Sequence, residues 1–256
     1  AAAAQWHDLD LLRNALPADG TLELTDHSRE YSCLIVTGPQ SRALFQAVGT
    51  QADLSQPWLS FQDATVSDIP CKLARVSFAG ELGWEVHAKN DAIPALYEAI
   101  LKAGATPFGM YALNALRIEK GYRAWKGDLS TDYSLLEGGL DRFIKFDKPQ
   151  DFPGKAALLS EKQQGSSKRF VTLTVEAGEA DAPYMSTLWH NGTVVGETTS
   201  GAFGYRVGAS IALGMLKSEL TTPGTELEVD IFGTRCRATV QPDQPLWDPK
   251  NERLRA

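Results

Sequence analysis

The chain has 256 residues, 43% of them hydrophobic and 22% charged, which is typical of a globular protein with one or two domains. Its formal net charge of −7 argues against nucleic acid or an anionic membrane as the main partner. No secretory signal pattern and no apolar run of about 18 residues is visible. We therefore expect no nucleic-acid and no membrane partner, and a cytoplasmic location, or the mitochondrial matrix if the source is eukaryotic.

Cysteine and histidine usage gives no metal-binding pattern. The three cysteines are far apart, and two of them, Cys33 and Cys71, lie in apolar, strand-like runs. Buried, reduced thiols are therefore favoured over disulfides or a metal site. The four histidines lack a ligand spacing such as His-x-x-x-His. The sequence predicts no metal site.

The first part of the chain alternates between helix and strand patterns. Residues 1–4, a run of alanines, are excluded from the interpretation. The predicted elements are a helix at 7–15, an edge strand at 21–25, a strand at 31–37, a helix from Pro39, strands at 61–66, 71–78 and 84–87, and a helix at 91–103. Interleaved strands and helices are typical of an α/β region.

The stretch from residue 108 to 140 combines a helix and an unusual loop. Tyr111, Ala115 and Ile118 fall on one face, Gly121 ends the pattern, and the helix is apolar on most of its circumference, which predicts an interior position. Aromatic and charged residues crowd the following loop, from residue 122 to 137. Such a loop is either functional or a salt-bridged surface loop.

Helical periodicity disappears after a polar region around residues 146–167, which contains one short helix. Six strand-like segments follow, at 170–175, 186–190, 194–199, 211–215, 227–232 and 236–240. Asn191-Gly192 is a strong hairpin signal of the type I′ class, and the glycines at 201 and 204 are interpreted as a hairpin turn. The pattern predicts a small antiparallel barrel or sandwich.

Residues 78–87, FAGELGWEVH, contain the most informative polar position. Glu85 alternates with the apolar Trp84 and Val86, so its carboxylate needs a partner if it faces the interior. Arg75 or Arg117 would make it a structural salt bridge. Alternatively, the Glu85 carboxylate would accept two hydrogen bonds from a ligand edge with two parallel N–H donors, such as that of a pterin or guanine. The residues alone favour the arginine.

Glycines frame this segment, and no known catalytic motif accompanies it. Gly80 and Gly83 indicate a sharp turn or a close backbone approach. The chain has no P-loop, no GxGxxG, no HExxH and no GxSxG pattern.

Several ordered segments carry a family resemblance across about residues 7–255. They are GELGWE, YALNALRIEKGYRAWKGDLSTDYSLLEGGL, DFPGK, NGTVVGETTSG and QPLWDPKNERLR. They resemble the folate-binding region of dimethylglycine and sarcosine dehydrogenases and, more broadly, the aminomethyltransferase (glycine-cleavage T-protein) family. The resemblance implies an α+β or α/β folate-binding domain of the aminomethyltransferase type at residues 5–150, truncated at its N-terminus. A linker with a short helix at 151–167 and a C-terminal antiparallel β-barrel at 168–256 would follow.

The resemblance also assigns folate-binding residues. Glu85 matches the glutamate that binds the pterin ring, which favours a ligand over the salt bridge. Phe78 stands where relatives often have a tyrosine beside the pterin, and Val86 and His87 continue the strand that lines the folate. Arg142, where an aromatic residue is common, would meet the anionic glutamate tail.

Some positions depart from the family pattern. Leu113 stands where T-proteins have an arginine for the folate tail, and Tyr122 replaces the cysteine of the iron–sulfur-assembly branch. The family's catalytic aspartate is expected upstream of this chain. The catalytic residue is therefore unknown, and the chain is expected to be inactive alone.

The implied function is the tetrahydrofolate-binding portion of a flavin-dependent, N-methylglycine-type dehydrogenase that captures the one-carbon unit as methylene-tetrahydrofolate. The implied partners are folate and a small N-methyl amine. FAD is implied only if an upstream flavin domain or a partner chain is present. The alternatives are a stand-alone aminomethyltransferase, which Leu113 disfavours, and a non-catalytic folate-binding accessory protein.

Overall fold

The structure, a computed structural model, describes residues 4–256, which form two compact units. The first unit contains residues 4–113 with Asp248–Ala256, and the second contains Asn114–Trp247. The helices are α1 (Gln5–Ala15), α2 (Ser41–Ala47), α3 (Ile93–Lys102), α4 (Met110–Glu119) and α5 (Lys155–Gln164). The strands of the first unit are β1 (Tyr31–Thr37), β2 (Phe61–Val66), β3 (Ile69–Ala74) and β4 (Gly83–Lys89).

The four strands of the first unit form an antiparallel sheet in the order β1-β4-β3-β2. On β4, Trp84 and Val86 are fully buried, while the intervening Glu85 is partly exposed. The Trp84 ring meets the Phe45 ring of α2 edge to face, with centroids 5.2 Å apart. Because side chains alternate along a strand, this core fixes Glu85 on the opposite face of the sheet.

The second unit is built around a closed antiparallel barrel in the order β10-β5-β8-β7-β6-β9. Its strands are β5 (Lys168–Val175), β6 (Thr187–His190), β7 (Thr193–Gly204), β8 (Ala209–Lys217), β9 (Glu226–Ile231) and β10 (Thr234–Val240). Short 3-10 helices occupy Asp141–Phe143 and Ser218–Leu220. All six predicted strands are present. Of the two predicted architectures, they form the barrel and not the sandwich.

The hairpin predicted at Asn191-Gly192 is confirmed, because both residues have positive φ values, 50° and 74°. The turn predicted at residues 201–204 is wrong, since these residues lie within β7. Glycine at position 201 allows the backbone of Ala182 to pack closely against β7, because a Cβ atom there would lie 2.1 Å from the Ala182 carbonyl oxygen.

The edge strand predicted at residues 21–25 is also wrong, because this segment is irregular. The Asp19 carboxylate accepts hydrogen bonds from the Thr21 N–H at 3.0 Å and hydroxyl at 2.7 Å. Asp26 accepts one from the Ser28 N–H at 2.9 Å. Local side-chain bonds of this kind offer the backbone an alternative to strand pairing. The strand predicted at 71–78 ends at Ala74.

The helix at the centre of the chain is less buried than its apolar pattern predicts. Met110 and Tyr111 are 76% and 94% exposed, and burial begins at Leu113, which is 7% exposed. Farther along, Ile118 and the charged Arg117 are both buried. Periodicity identified the apolar stripe, but it did not identify which of its turns a neighbouring element covers.

The predicted division into residues 5–150, 151–167 and 168–256 stays a prediction. The border between the two compact units falls after Leu113, inside α4. Of the helices formed by residues 4–256, none is both long enough and apolar enough to cross a membrane.

Candidate functional site

The outward face of the sheet in the first unit brings three chemically active side chains together. Glu85 and His87 are two residues apart on β4 and therefore share this face. Cys33 of β1 lies directly opposite His87 in the strand register. One donor atom from each of the three side chains lies within 4.8 Å of the others. Alternation singled out Glu85 and the family resemblance added His87, but Cys33 was missed because its pairing with β4 joins residues distant in sequence.

The carboxylate of Glu85 has histidine rather than arginine as its neighbour. Its Oε2 atom lies 3.2 Å from Nε2 of His87, and the two side chains are 31% and 36% exposed. Arg75, one of the two predicted arginine partners, donates instead to the carbonyl oxygens of Gln56 and Ala256, at 3.0 and 2.7 Å. The other, Arg117, is an ion-pair partner of Asp128. Neither of the two predicted arginines therefore forms a salt bridge with Glu85.

The turn that precedes β4 is shaped by two glycines, as the sequence predicts. Gly80 has a φ of 72°, in the left-handed region. A Cβ atom at Gly83 would lie 2.8 Å from the Val36 carbonyl oxygen, so glycine allows β4 to enter the sheet beside β1. Phe78, at the start of the turn, is 36% exposed.

The cysteines are free thiols, and two of them have raised pKa values. Although Cys33 is exposed as a residue, partial desolvation of its thiol by neighbouring atoms, followed by the charge of Glu85, raises the pKa of Cys33 to about 11. Burial also raises the pKa of Cys71 to about 11. Cys71 is buried as predicted, whereas Cys33 is exposed, because it lies with His87 on the outward face of the sheet. Both thiols are protonated at neutral pH.

A cavity of about 720 Å³ runs along β1 in the first unit. Its lining combines β1 and α2 with α3 and residues 103–113, and it includes Cys33, Ile35, Leu44, Ile100, Phe108 and Leu113. The volume lies within the range of small-molecule sites, and most of these side chains are apolar. Cys33 is thus shared between this cavity and the cluster with Glu85.

The two remaining predicted site residues lie elsewhere. Val86 is fully buried in the core, on the face of β4 opposite to Glu85. Arg142 belongs to the second unit, where it is exposed on the 3-10 helix Asp141–Phe143. Its guanidinium lies 4.9 Å from the centroid of the Phe143 ring.

The polar loop after α4 is largely exposed or partly exposed, but its Asp128 carboxylate is enclosed and fully hydrogen-bonded. Asp128 is fully buried, and its Oδ1 accepts hydrogen bonds from the hydroxyls of Thr199 at 2.5 Å and Ser200 at 2.8 Å. Its Oδ2 accepts from the Ala124 N–H at 2.8 Å and from the Arg117 guanidinium. With every acceptor position used, Asp128 anchors the loop to β7.

Tyr133, five residues after Asp128, also joins this loop to β7 of the barrel. Its hydroxyl donates to Oε1 of Glu197 at 2.9 Å, and burial followed by this bond raises the pKa of Tyr133. A polar cavity of about 180 Å³ lies beside this pair, lined also by Lys168 and Tyr184. Asp128 and Tyr133 therefore both attach the loop to β7 of the second unit.

Comparison with solved structures identifies the fold class. The crystal structure of glycine cleavage system aminomethyltransferase T from Bartonella henselae superposes with a TM-score of 0.82, covering 96% of this chain and 66% of that one at 23% identity. The predicted fold is confirmed: an aminomethyltransferase fold with a closed, six-stranded antiparallel barrel.

Family models identify the family. Residues 1–148 match the GCVT N-terminal domain, and residues 168–248 match the glycine cleavage T-protein C-terminal barrel domain. The chain belongs to the glycine cleavage T-protein family.

Curated relatives fall into two groups. Dimethylglycine dehydrogenase, mitochondrial, from Rattus norvegicus is 38% identical over 99% of this chain, which spans 30% of that relative's length. Sarcosine dehydrogenase, mitochondrial, from Mus musculus is 34% identical over 91% of this chain and 27% of its own length. Aminomethyltransferase from Rippkaea orientalis is 36% identical over 84% of this chain and 58% of its own length.

Proposed function

We propose that this chain is the tetrahydrofolate-binding portion of a flavin-dependent dehydrogenase of the dimethylglycine or sarcosine type. Similarity to rat dimethylglycine dehydrogenase along 99% of the chain supports this assignment. For the whole protein, the proposal also includes FAD as cofactor, a small N-methyl amine as substrate, and a flavin domain or partner chain. A mitochondrial matrix location belongs to it if the source is eukaryotic.

The observation that carries the proposal is the placement of Glu85. Its carboxylate stands on the outward face of the sheet with His87 beside it, and within residues 4–256 no arginine forms an ion pair with it. A carboxylate in that position accepts two parallel N–H donors, which is what the pyrimidine edge of a pterin presents. The residues therefore fit the group. When bound, tetrahydrofolate supplies the nitrogens that accept a one-carbon unit.

Neighbouring residues have supporting roles in this proposal. Phe78 is exposed enough to pack against a pterin ring. His87 orients the Glu85 carboxylate, and Val86 contributes from the core side by fixing the strand. Arg142 is an exposed cation of the second unit, and its role towards the folate carboxylates stays a prediction from the family resemblance.

Calorimetric titration with tetrahydrofolate tests the role of Glu85. Glu85→Gln replaces an acceptor oxygen with a donor that faces the N–H groups of the ligand, so affinity should fall about tenfold to a hundredfold. Glu98→Gln, an exposed carboxylate on α3, is the matched control and should bind as the wild type does. Equal affinities for wild type and Glu85→Gln would remove Glu85 from the site.

A stand-alone aminomethyltransferase is the second candidate, supported by the similarity to the Rippkaea orientalis protein. Leu113 weighs against it, because the T-protein arginine is absent at that position. The two functions differ in the donor of the one-carbon unit. One-carbon transfer from an aminomethylated lipoyl carrier protein to tetrahydrofolate would favour this candidate. Binding of tetrahydrofolate without transfer from either donor in the full-length protein would favour an accessory role.

A further inference from the structure

We propose that Cys33, Glu85 and His87 form a binding site for one zinc-like divalent cation on the outward face of the sheet in the first unit. The sequence predicts no metal site, because the three residues have no characteristic spacing along the chain. Pairing of β1 with β4 creates the cluster. The proposal does not depend on folate binding, since all three donors belong to the protein.

The strand geometry places the donors in a compact triangle. Glu85 and His87 project from the same face of β4, and their Oε2 and Nε2 atoms are already 3.2 Å apart. Cys33 faces His87 across the β1–β4 ladder, and all three donor atoms lie within 4.8 Å of one another. Tetrahedral zinc requires donor separations of about 3.5 Å. The donor atoms therefore have to approach one another only slightly, which we expect side-chain rotation to provide.

The chemistry of the donors selects the class of metal. Calcium and magnesium prefer oxygen ligands, so a site with one thiol, one imidazole and one carboxylate does not suit them. Zinc accepts sulfur, nitrogen and oxygen ligands, and three protein ligands leave its fourth position open. The site therefore favours Zn²⁺ and its spectroscopic substitute Co²⁺ over the hard cations.

The surrounding charges permit a cation. Lys72 of β3 stands opposite His87 in the register, but its ammonium lies 2.5 Å from the Asp63 carboxylate on β2. The positive charge on this face is thereby directed away from the cluster and neutralised. Binding requires the Cys33 thiol to release its proton, and the metal compensates the resulting thiolate beside Glu85.

Titration of the chain with Co²⁺ in the absence of folate tests the proposal. A thiolate-to-cobalt charge-transfer band should appear and saturate at one equivalent, and Zn²⁺ should abolish it. Cys33→Ser should eliminate the band. His87→Gln and Glu85→Gln should each weaken Zn²⁺ binding, measured by calorimetry, by at least tenfold.

Two control variants replace a cysteine and a histidine that lie in the second unit and are not among the proposed ligands. Cys236→Ser and His190→Gln should bind both metals as the wild type does. Because Cys33 and His87 are exposed or partly exposed, their substitution leaves the core intact, and the circular dichroism spectra should be unchanged. A missing band in the wild type, or a band that survives Cys33→Ser, would overturn the proposal. Neither result would bear on folate binding.

Discussion

Arg117 and Asp128 form a buried ion pair, with side chains that are 4% and 0% exposed. The guanidinium is also hydrogen-bonded to the Asn114 side chain, the Tyr122 carbonyl oxygen and the Ser200 hydroxyl. The pair thus joins α4, the following loop and β7 within the second unit. A carboxylate this enclosed is a structural group rather than a proton donor or acceptor for a substrate.

Removing the charge of Asp128 should therefore destabilise the chain strongly. In Asp128→Asn, the Arg117 cation stays buried without its counterion, and an amide donor faces the Ala124 N–H. Breaking a buried pair in this way costs about 3–5 kcal/mol. Urea denaturation measures the loss. Asp132→Asn, an exposed neighbour, should change the free energy of unfolding by less than about 0.5 kcal/mol. A loss below about 1 kcal/mol in Asp128→Asn would show that the pair contributes little.

Adding a methyl group at Gly83 should disturb the sheet that presents Glu85. The new Cβ would lie 2.8 Å from the Val36 carbonyl oxygen, so β1 and β4 would have to separate. We expect Gly83→Ala to destabilise the chain by about 1–3 kcal/mol, as overpacking does. Gly109→Ala is the control, because none of the residues that the structure describes has an atom within 4 Å of a Cβ placed there. Thermal unfolding compares the two, and equal melting temperatures would contradict the expectation.

Periodicity and turn chemistry predicted most of the fold. The barrel strands follow from short alternating segments separated by signals such as Asn191-Gly192, whose positive φ values are local properties of those residues. Glu85 was found in the same way, because Trp84 and Val86 flank it on a strand with one buried face. Each of these signals lies within a few neighbouring residues.

Several predictions were incomplete or incorrect because they depend on distant contacts, unlike the strand at 21–25, which local hydrogen bonds replace. Nothing near Cys33 in sequence reveals that it lies opposite His87, since that pairing joins strands separated by β2 and β3. The exposure of Tyr111 depends on which elements pack over α4, and burial of Asp128 depends on hydroxyls contributed by β7. Residue pattern specifies the type of most elements, whereas the environment of a side chain is set by the complete tertiary structure.

Cys71 should make the chain less stable in alkaline solution. Its pKa is about 11 in the folded state, raised by burial from the usual 9.0, so only the unfolded chain ionises between these values. Stability from this thiol is complete below pH 9 and decreases towards pH 11, by up to about 1.4 kcal/mol per pH unit. Urea denaturation at several pH values should show a shallower decrease for Cys71→Ala.

A matched variant separates this pH effect from the loss of packing. Val66, on β2, is fully buried and carries no titratable group. Val66→Ala should lower stability equally at every pH and retain the wild-type slope. An identical slope in Cys71→Ala and wild type would show that this thiol does not contribute to the alkaline loss.

Zinc and tetrahydrofolate should compete for this protein, because both proposals assign the carboxylate of Glu85 to their ligand. A metal coordinated by Cys33, Glu85 and His87 occupies the oxygens that the pterin N–H groups would need, so saturating Zn²⁺ should weaken tetrahydrofolate binding at least tenfold in calorimetric titrations. Cys33→Ser is the decisive control: it lacks the metal ligand but retains Glu85, so its folate affinity should be the same with and without Zn²⁺. Equal weakening in Cys33→Ser would indicate chelation of the folate by free metal. Simultaneous binding of both ligands to the wild type would show that they do not share Glu85.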